Sequence, residues 1–419
     1  MSRALIVGSG GREHALAWKL AQEGEVHAVP GNPGIADVAV CHEGSAEDLD
    51  GVLETVRRVQ PDLVVVGPEN PLIAGLADRL REIGVPCFGP DAQAAMLEGS
   101  KAFSKELMAE AGVPTPFGRA CSTPEEAWAA VRELEDLGKL PVVKASGAAL
   151  GKGVIVCDDT EQARQAIRRA MVDREFGDAG QTVVVEERLT GREFSLLTVC
   201  GAGTYWSLPV AQDYKRALDG DRGPNTGGMG SVSPTAWVTP DLVAQAEERV
   251  VAPILGALAA RGLDYRGVLF SGLMVQDGEV YCLEYNVRFG DPETQSVLPR
   301  LGSGFFDLLR EVASGGRPSP LKVEDVVAVT VVLASAGYPD AYRKGVPIRL
   351  PERLPDGTVL FHAGTRIGPQ GLETSGGRVL GCTGLGKDLR TARDRAYRLA
   401  EAIQFEGKQF RRDIAANAH

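Results

Sequence analysis

The sequence predicts an α/β protein, α+β in parts: a doubly wound parallel-sheet domain at the N-terminus, a small flap subdomain, and a mixed domain at the C-terminus. Three observations predict it. Residues 1–100 alternate short, buried-type apolar runs with amphipathic helical stretches, the pattern of parallel strands covered by helices on both faces. Two later stretches rich in small residues, near 145–153 and 223–230, interrupt strand-like segments and read as covers over a ligand rather than as core. A length of 419 residues exceeds what one hydrophobic core serves, so the chain is expected to divide at 1–100, 101–320 with the flap at about 121–190, and 321–419.

Composition narrows the class. A hydrophobic share of 44% supports ordinary globular cores, while a formal charge of −11 argues against general affinity for nucleic acid or anionic membrane, which need surplus Lys and Arg. An anionic substrate must then be held by local basic groups and backbone amides. The seven cysteines stand singly, with no Cys-x-x-Cys pair and no histidine cluster at metal spacing, which predicts a reduced, cytoplasmic setting without structural zinc. The first residues run straight into a strand, so no signal peptide is expected, and no apolar run reaches the roughly 18 residues of a membrane span.

Along residues 1–100, strands are expected at 4–7, 26–29, 62–66 and 86–89, and helices at 12–23 and 72–83. Ligands of such sheets collect at the carboxyl ends of the strands, which points to Gly8-Ser9-Gly10-Gly11, Pro30-Gly31-Asn32-Pro33-Gly34 and Gly67-Pro68-Glu69-Asn70-Pro71-Leu72. The first of these lacks the third glycine of a dinucleotide fingerprint, which disfavours a nicotinamide cofactor. The amides of Gly10, Gly11 and Arg12 could hold a phosphate at the helix start; a sharp strand-to-helix turn explains the same glycines equally well.

A helix from Ser100 carries Lys101 and Lys105 one turn apart and stops near Gly112-Val113-Pro114. Helices at 124–137 and 160–172 and strands at 141–144, 154–156 and 182–187 follow. The connection from Lys144 to Gly153 is built of small residues flanked by lysines, suiting it to triphosphate oxygens, although no Ser or Thr follows Lys152 as in a Walker A loop. The strand end at 186–189 can offer backbone groups to an adenine ring, with Glu193 nearby for ribose hydroxyls. Gln212-Asp213-Tyr214-Lys215-Arg216 leads into Gly223-Pro224-Asn225-Thr226-Gly227-Gly228-Met229-Gly230, read as a loop that moves over a ligand. Strands at 326–334, 357–366 and 377–384 and a helix at 389–403 make up the last domain, which shows no catalytic pattern and is expected to complete one wall of the site.

The strongest chemical signal is Val280 to Gln295. Alternation along a strand puts Tyr281, Leu283, Tyr285 and Val287 on one face and Glu284 and Asn286 on the other. A carboxylate and an amide oxygen side by side suit a hard cation shared with phosphates. A preceding strand at 267–275 and an Asp277-Gly278 turn make a hairpin, whose register is expected to set Ser271 opposite Glu284, so that no second carboxylate faces it. Arg288, Asp291, Glu293 and Gln295 crowd the loop beyond.

With these pieces placed, the chain resembles the ATP-grasp ligases and, among them, the phosphoribosylamine–glycine ligase family. The likeness rests on GSGGREHALAWKL, VGPENPL, LEGSKAFSKELM, AGVPTP, GKGVIV, QDYKR, GPNTGGMG and EYNVRFGDPETQ, spread from Gly8 to the last helix. It implies an ATP-grasp fold and a ligase of purine synthesis. It also implies Mg²⁺ or Mn²⁺, with ATP as co-substrate, glycine and phosphoribosylamine as partners, no nucleic acid and no membrane, and a monomer. On matching positions it implies Glu284 and Asn286 as metal ligands, and Arg288, Lys144 and Asp213 as catalytic groups. Lys101, Lys105, Lys144, Gly151, Lys152, Gly153, Glu186, Glu187, Leu189 and Glu193 would bind ATP. Gly10, Gly11, Asn32, Glu69, Asp213, Lys215, Asn225, Gly228, Arg288, Asp291 and Glu293 would face the substrates. The family's flap usually reads KADGLAAGKGV, and this chain departs from it at Ser146, Ala148 and Leu150. The competing readings are another ATP-grasp ligase of purine synthesis or a carboxylase, with a different acid, a nicotinamide-dependent dehydrogenase, and a nucleotide-binding module without turnover.

Overall fold

The computed structural model describes residues 2–147, 153–416 and 418. The chain opens with β1 (Arg3–Gly8), α1 (Gly11–Leu20), β2 (Glu25–Pro30), β3 (Val40–Cys41), α2 (Leu49–Val59), β4 (Leu63–Val66), α3 (Glu69–Ile73), α4 (Leu76–Glu82) and β5 (Cys87–Phe88). The strands pair in parallel in the order β3-β2-β1-β4-β5, a doubly wound sheet. Alternation along β1 feeds two cores. Leu5 and Val7 pack with Val52 and Val56 of α2 and Leu80 of α4, while Ala4 and Ile6 pack with Leu16 and Leu20 of α1. The helix expected at 72–83 is two helices, because Gly75 sits at φ 88 and starts α4 afresh. No element was expected at α2, whose start is capped by Asp48 accepting from Gly51 N–H.

Next come α5 (Ala92–Gly99), α6 (Lys101–Glu110), β6 (Gly118–Cys121), α7 (Pro124–Asp136), β7 (Pro141–Ala145), β8 (Val154–Val156), α8 (Thr160–Ile167) and β9 (Val183–Glu187). The four strands form an antiparallel sheet in the order β6-β9-β7-β8, and α7 and α8 cover one face with Ala127, Val131, Leu134, Ala163 and Ile167.

The remainder contains β10 (Arg192–Gly201), β11 (Thr204–Ser207), β12 (Gln212–Asp213), β13 (Arg216–Leu218), β14 (Arg222–Asn225), β15 (Gly230–Ser233), α9 (Pro240–Ala246), α10 (Ala252–Ala260), β16 (Gly267–Gln276), β17 (Glu279–Asn286), α11 (Glu293–Val297) and α12 (Phe305–Ala313). It ends with β18 (Val327–Ala334), β19 (Thr358–His362), β20 (Thr365–Gly368), β21 (Gly371–Thr374), β22 (Arg378–Gly386) and α13 (Leu389–Ala402). One antiparallel sheet runs β11-β10-β16-β17 and another β12-β15-β18-β22-β19. The second sheet therefore takes two of its strands from residues 212–233, which ties that stretch to the C-terminal strands. Half of the segment expected as a free loop is strand: β14 pairs with β13, and Gly230 opens β15 with Met229 buried before it. Among the described residues no helix is long and apolar enough to cross a membrane.

Candidate active site

The site is built around β17, and its geometry depends on one irregularity. In the β16–β17 pairing Gly272 faces Glu284 and Ser271 faces Tyr285, whereas Leu273 faces Cys282, so Leu283 is an extra residue that bulges from the ladder. The expected register, with Ser271 across from Glu284, is therefore displaced by one, and the expectation of a single apolar face is corrected as well. Val280 and Cys282 are buried, then Tyr285 and Val287, while Tyr281 and Leu283 are only half-buried. Strict alternation from Val280 would have turned Glu284 into the core. The bulge reverses the parity, so Tyr285 and Val287 fill the core and Glu284 and Asn286 look outward. It also frees the Leu283 carbonyl, which accepts from Lys144 Nζ at 3.1 Å.

Around Glu284 the charge is mostly positive. Burial works to raise its pKa, but Lys215, Lys144, Lys101 and Arg288 more than offset it, and the carboxyl lies below its usual range. Lys144 forms an ion pair with Glu186, which also takes Lys105 at 3.1 Å. Glu186 thus points inward as the shared counter-ion of two buried lysines rather than out from the strand edge. Lys105 is further held by Thr115 Oγ1 at 3.2 Å and the Pro116 carbonyl. Lys101, on the same face of α6, reaches the Gly147 carbonyl at 3.5 Å. Ser146 Oγ accepts from Ala102 N–H at 3.0 Å and so docks the end of β7 onto the first turn of α6. Gly153 is joined to the same strand, its carbonyl accepting from Ala145 N–H at 2.7 Å; Ala148, Leu150, Gly151 and Lys152 lie outside the described residues. Glu187 accepts from Phe117 N–H at 2.8 Å and pairs with Lys139 at 2.5 Å, and Leu189 is half-buried between β9 and β10.

Arg288 is fixed from three sides: Glu98 at 2.9 Å, Glu69 at 3.4 Å and Asn286 Oδ1, which accepts from its Nη2 at 3.1 Å. Burial opposes its charge, and Glu98, Glu69, Glu293 and Glu284 overcome that and raise its pKa. Glu98 also accepts from Val287 N–H at 2.8 Å, and burial, against the pull of Arg288, pushes it up to about 7. Sequence reasoning passed over Glu98. Its signal was an acidic residue in the last turn of a helix, where the dipole disfavours a carboxylate without a compensating cation.

Asp213 on β12 is pushed up to about 7 by burial, with Lys215 opposing and Glu293, Glu193 and Glu284 adding to the rise. Lys215 donates to Glu193 at 2.8 Å. Glu293, buried, accepts from Ser195 Oγ at 3.0 Å, and burial raises its pKa. Asn225 pairs with Arg216 across the β13–β14 hairpin. Gly228 has φ +111, and a Cβ there would collide with Pro292 Cδ, so only glycine lets this loop lie on the Asp291–Pro292 segment. Asp291 accepts from Gln295 Nε2 at 2.8 Å and lies near Gly10 and Gly11, where added Cβ atoms would stand 3.6 Å and 3.7 Å from its carboxylate oxygens.

At the start of α1 the Gly10 amide, offered by the sequence to a phosphate, is already donated to Glu13 Oε2 at 2.5 Å; Arg12 pairs with the other oxygen. Asn32 is likewise committed: its Nδ2 donates to the carbonyls of Ser9 at 2.8 Å and His362 at 2.9 Å, and its Oδ1 accepts from Ile35 N–H at 2.9 Å. It braces the second glycine loop against the C-terminal sheet. The structure thus gathers Lys101, Lys144, Asp213, Lys215, Glu284, Asn286, Arg288 and Glu293 at one place. Lys105, Glu186 and Asn32 form its supports.

Glu284 and Asn286 supply two hard oxygen donors. Among the described residues no group of three His, Cys, Asp or Glu side chains could close a metal shell. Such a pair of donors would suit a divalent cation whose shell was completed by phosphate oxygens and water.

Comparison with known proteins gives a consistent result over the full length. Three models match: phosphoribosylglycinamide synthetase N domain over residues 2–98, its ATP-grasp (A) domain over 99–294, and its C domain over 328–417. The chain is 46% identical over 426 aligned positions to the phosphoribosylamine–glycine ligase of Streptomyces coelicolor, covering 99% of each. It superposes on the crystal structure of the phosphoribosylamine–glycine ligase of Thermotoga maritima with a TM-score of 0.88 and 38% identity, covering 98% of this chain and 100% of that one. The biotin carboxylase domain of Hydrogenobacter thermophilus 2-oxoglutarate carboxylase, solved with MgADP and bicarbonate, shares the fold at 18% identity and a TM-score of 0.72, covering 97% and 91%.

Proposed function

The chain belongs to the phosphoribosylglycinamide synthetase family, and from that premise we propose how its residues divide the work of the reaction. The protein is an ATP-dependent ligase that joins glycine to 5-phosphoribosylamine in purine biosynthesis. Glycine's carboxylate is a poor acyl donor, so one of its oxygens attacks the γ-phosphorus of ATP, releasing ADP and forming glycyl phosphate. The amine of phosphoribosylamine then adds to the glycyl carbonyl, and phosphate leaves with the oxygen it acquired. Such steps need positioning and charge neutralisation more than covalent help from the protein.

The observation that carries the assignment of roles is the convergence of Lys101, Lys144, Lys215 and Arg288 on the ionised Glu284. Lys101 and Lys144 would face the phosphates, and Gly151, Lys152 and Gly153 would bind ATP with them. Arg288, held by Glu69 and Glu98, would face the carboxylate that becomes the acyl phosphate. Asp213, with its pKa near 7, would accept the proton that the attacking amine gives up. Glu187, Leu189 and Glu193 would border the nucleoside, with Glu186 and Lys105 supporting Lys144 from behind. Gly10, Gly11, Asn225, Gly228, Asp291 and Glu293 would line the phosphoribosylamine side. Glu284 and Asn286 would hold a divalent cation, Mg²⁺ or Mn²⁺, whose contribution is to neutralise phosphate charge. A cytoplasmic monomer dividing at 1–100, 101–320 and 321–419 completes the reading, and the unpaired state of all seven cysteines supports the compartment.

The test is ADP release from ATP and Mg²⁺ with glycine and phosphoribosylamine each present or withheld. Release that requires both, with glycinamide ribonucleotide as product, is expected. Equal release without glycine would overturn the assignment.

A further inference from the structure

The C-terminal sheet does more than wall the site. Arg378, the first residue of β22, reaches across to two loops contributed by distant parts of the chain. Its Nη1 donates to the Gly227 carbonyl and, at 2.7 Å, to the Asp291 carbonyl, while its Nη2 lies 3.4 Å from Asp291 Oδ2. The guanidinium packs against Gly227, where an added Cβ would stand 2.9 Å from Arg378 Cζ. Tyr338, which follows β18, accepts from Gly227 N–H through its hydroxyl at 3.0 Å, so both backbone polar groups of Gly227 are held from the C-terminal side. Asp291 is gripped from the other side by Gln295 Nε2 at 2.8 Å. Gln295 stands against Gly11, and its Oε1 is buried without a hydrogen-bond partner among the described residues.

We infer that Arg378 is a positioning residue for the ligation: it clamps the loop 225–230 to the Asp291–Pro292 segment, setting both against the start of α1 on the phosphoribosylamine side. The inference rests on the proposed assignment of that side of the site. A planar fork is needed because one donor bridges two carbonyls while another meets a carboxylate, which a lysine ammonium cannot reproduce in the same plane. Elsewhere the loop is anchored mainly through its backbone, with Thr226 N–H and Oγ1 donating to the Lys215 carbonyl at 2.8 and 2.7 Å and Met229 N–H to the Tyr214 carbonyl at 2.8 Å, so that Arg378 and Tyr338 act on the glycine stretch between these anchors.

The experiment compares wild type with Arg378→Ala, Arg378→Lys and Tyr338→Phe in steady-state assays that vary each of the three substrates. In Arg378→Ala, kcat/KM for phosphoribosylamine is expected to fall on the order of 10²-fold, the scale of an ångström-level misplacement, with KM for ATP unchanged. Added guanidinium ion should restore part of the loss, Arg378→Lys should recover little, and Tyr338→Phe should show a smaller fall with the same split. Wild-type kinetics in folded Arg378→Ala would overturn the inference. So would a loss spread equally over all substrates and untouched by guanidinium, the mark of a merely structural role. If Arg378→Ala does not fold, Tyr338→Phe decides, because wild-type kinetics there would leave the clamp without effect. Wild-type enzyme that releases ADP without glycine would instead overturn the assigned reaction, whatever the variants do.

Discussion

Replacing Glu284 by Gln tests the centre of the site with a change of charge and almost none of shape. The carboxylate lies on β17 against Gly272, where an added Cβ would stand 3.1 Å from Glu284 Cγ, and a glutamine of the same length keeps that contact and opens no cavity. What it removes is the one anion common to Lys101, Lys144, Lys215 and Arg288. The loss of one preorganised electrostatic partner at a reacting phosphate corresponds to about 3–4 kcal/mol, or a fall in kcat on the order of 10²–10³. Stability should suffer less than this. Lys144 keeps Glu186, Lys215 keeps Glu193, Arg288 keeps Glu98, and the half-buried Lys101 keeps the Gly147 carbonyl and access to water, so the cost stays below the roughly 3–5 kcal/mol of an orphaned buried charge. The sign of the pH dependence follows from the depressed pKa. The ionised carboxylate stabilises the folded state above the unfolded value of about 4.3, and that contribution is lost as pH falls through the lower folded value. The gap in unfolding free energy between wild type and Glu284→Gln should therefore be present at neutral pH and close in acid. Glycine-dependent ADP release at graded Mg²⁺ measures the first effect, and urea unfolding at several pH values the second. A folded variant retaining more than about a tenth of wild-type kcat at saturating Mg²⁺ would refute the reasoning.

Gly228→Ala forces a side chain into the left-handed region against Pro292, a strain of about 1–3 kcal/mol. It should lower kcat/KM for phosphoribosylamine while thermal unfolding shifts by only a few degrees; unchanged kinetics would show that the loop tolerates displacement. Ser146→Asp should be accepted, because a carboxylate can take the Ala102 N–H that Ser146 Oγ now accepts and favours the start of α6. A large loss of turnover would show that the flap docks by other contacts. Glu293→Gln removes a carboxylate that helps raise Asp213, so a limb near pH 7 in the rate profile should move to lower pH. A limb that stays in place would exclude Asp213 as the titrating group.

Local chemistry made much of this protein legible in its sequence. Apolar runs alternating with amphipathic stretches marked the parallel sheet, because strands covered on both faces must be apolar throughout. Asp277-Gly278 marked the hairpin, and both residues take positive φ, 54° and 82°, as the turn requires. Glu284, Asn286 and Arg288 stood out as mixed polar groups crowded at a strand end. Tertiary structure decided the rest. The bulge at Leu283 has no signature in β17 alone, since it exists only in the register with β16, yet it determines which face carries Glu284. Glu98 meets the segment after β17 from 189 positions away, and Arg378 meets Gly227 from 151 away. Period and turn preference act over a few neighbours, whereas a buried charge is satisfied by whichever opposite group the completed fold brings within about 4 Å. The residues of the site could thus be read from the chain, and the partners that hold them had to be seen in the fold.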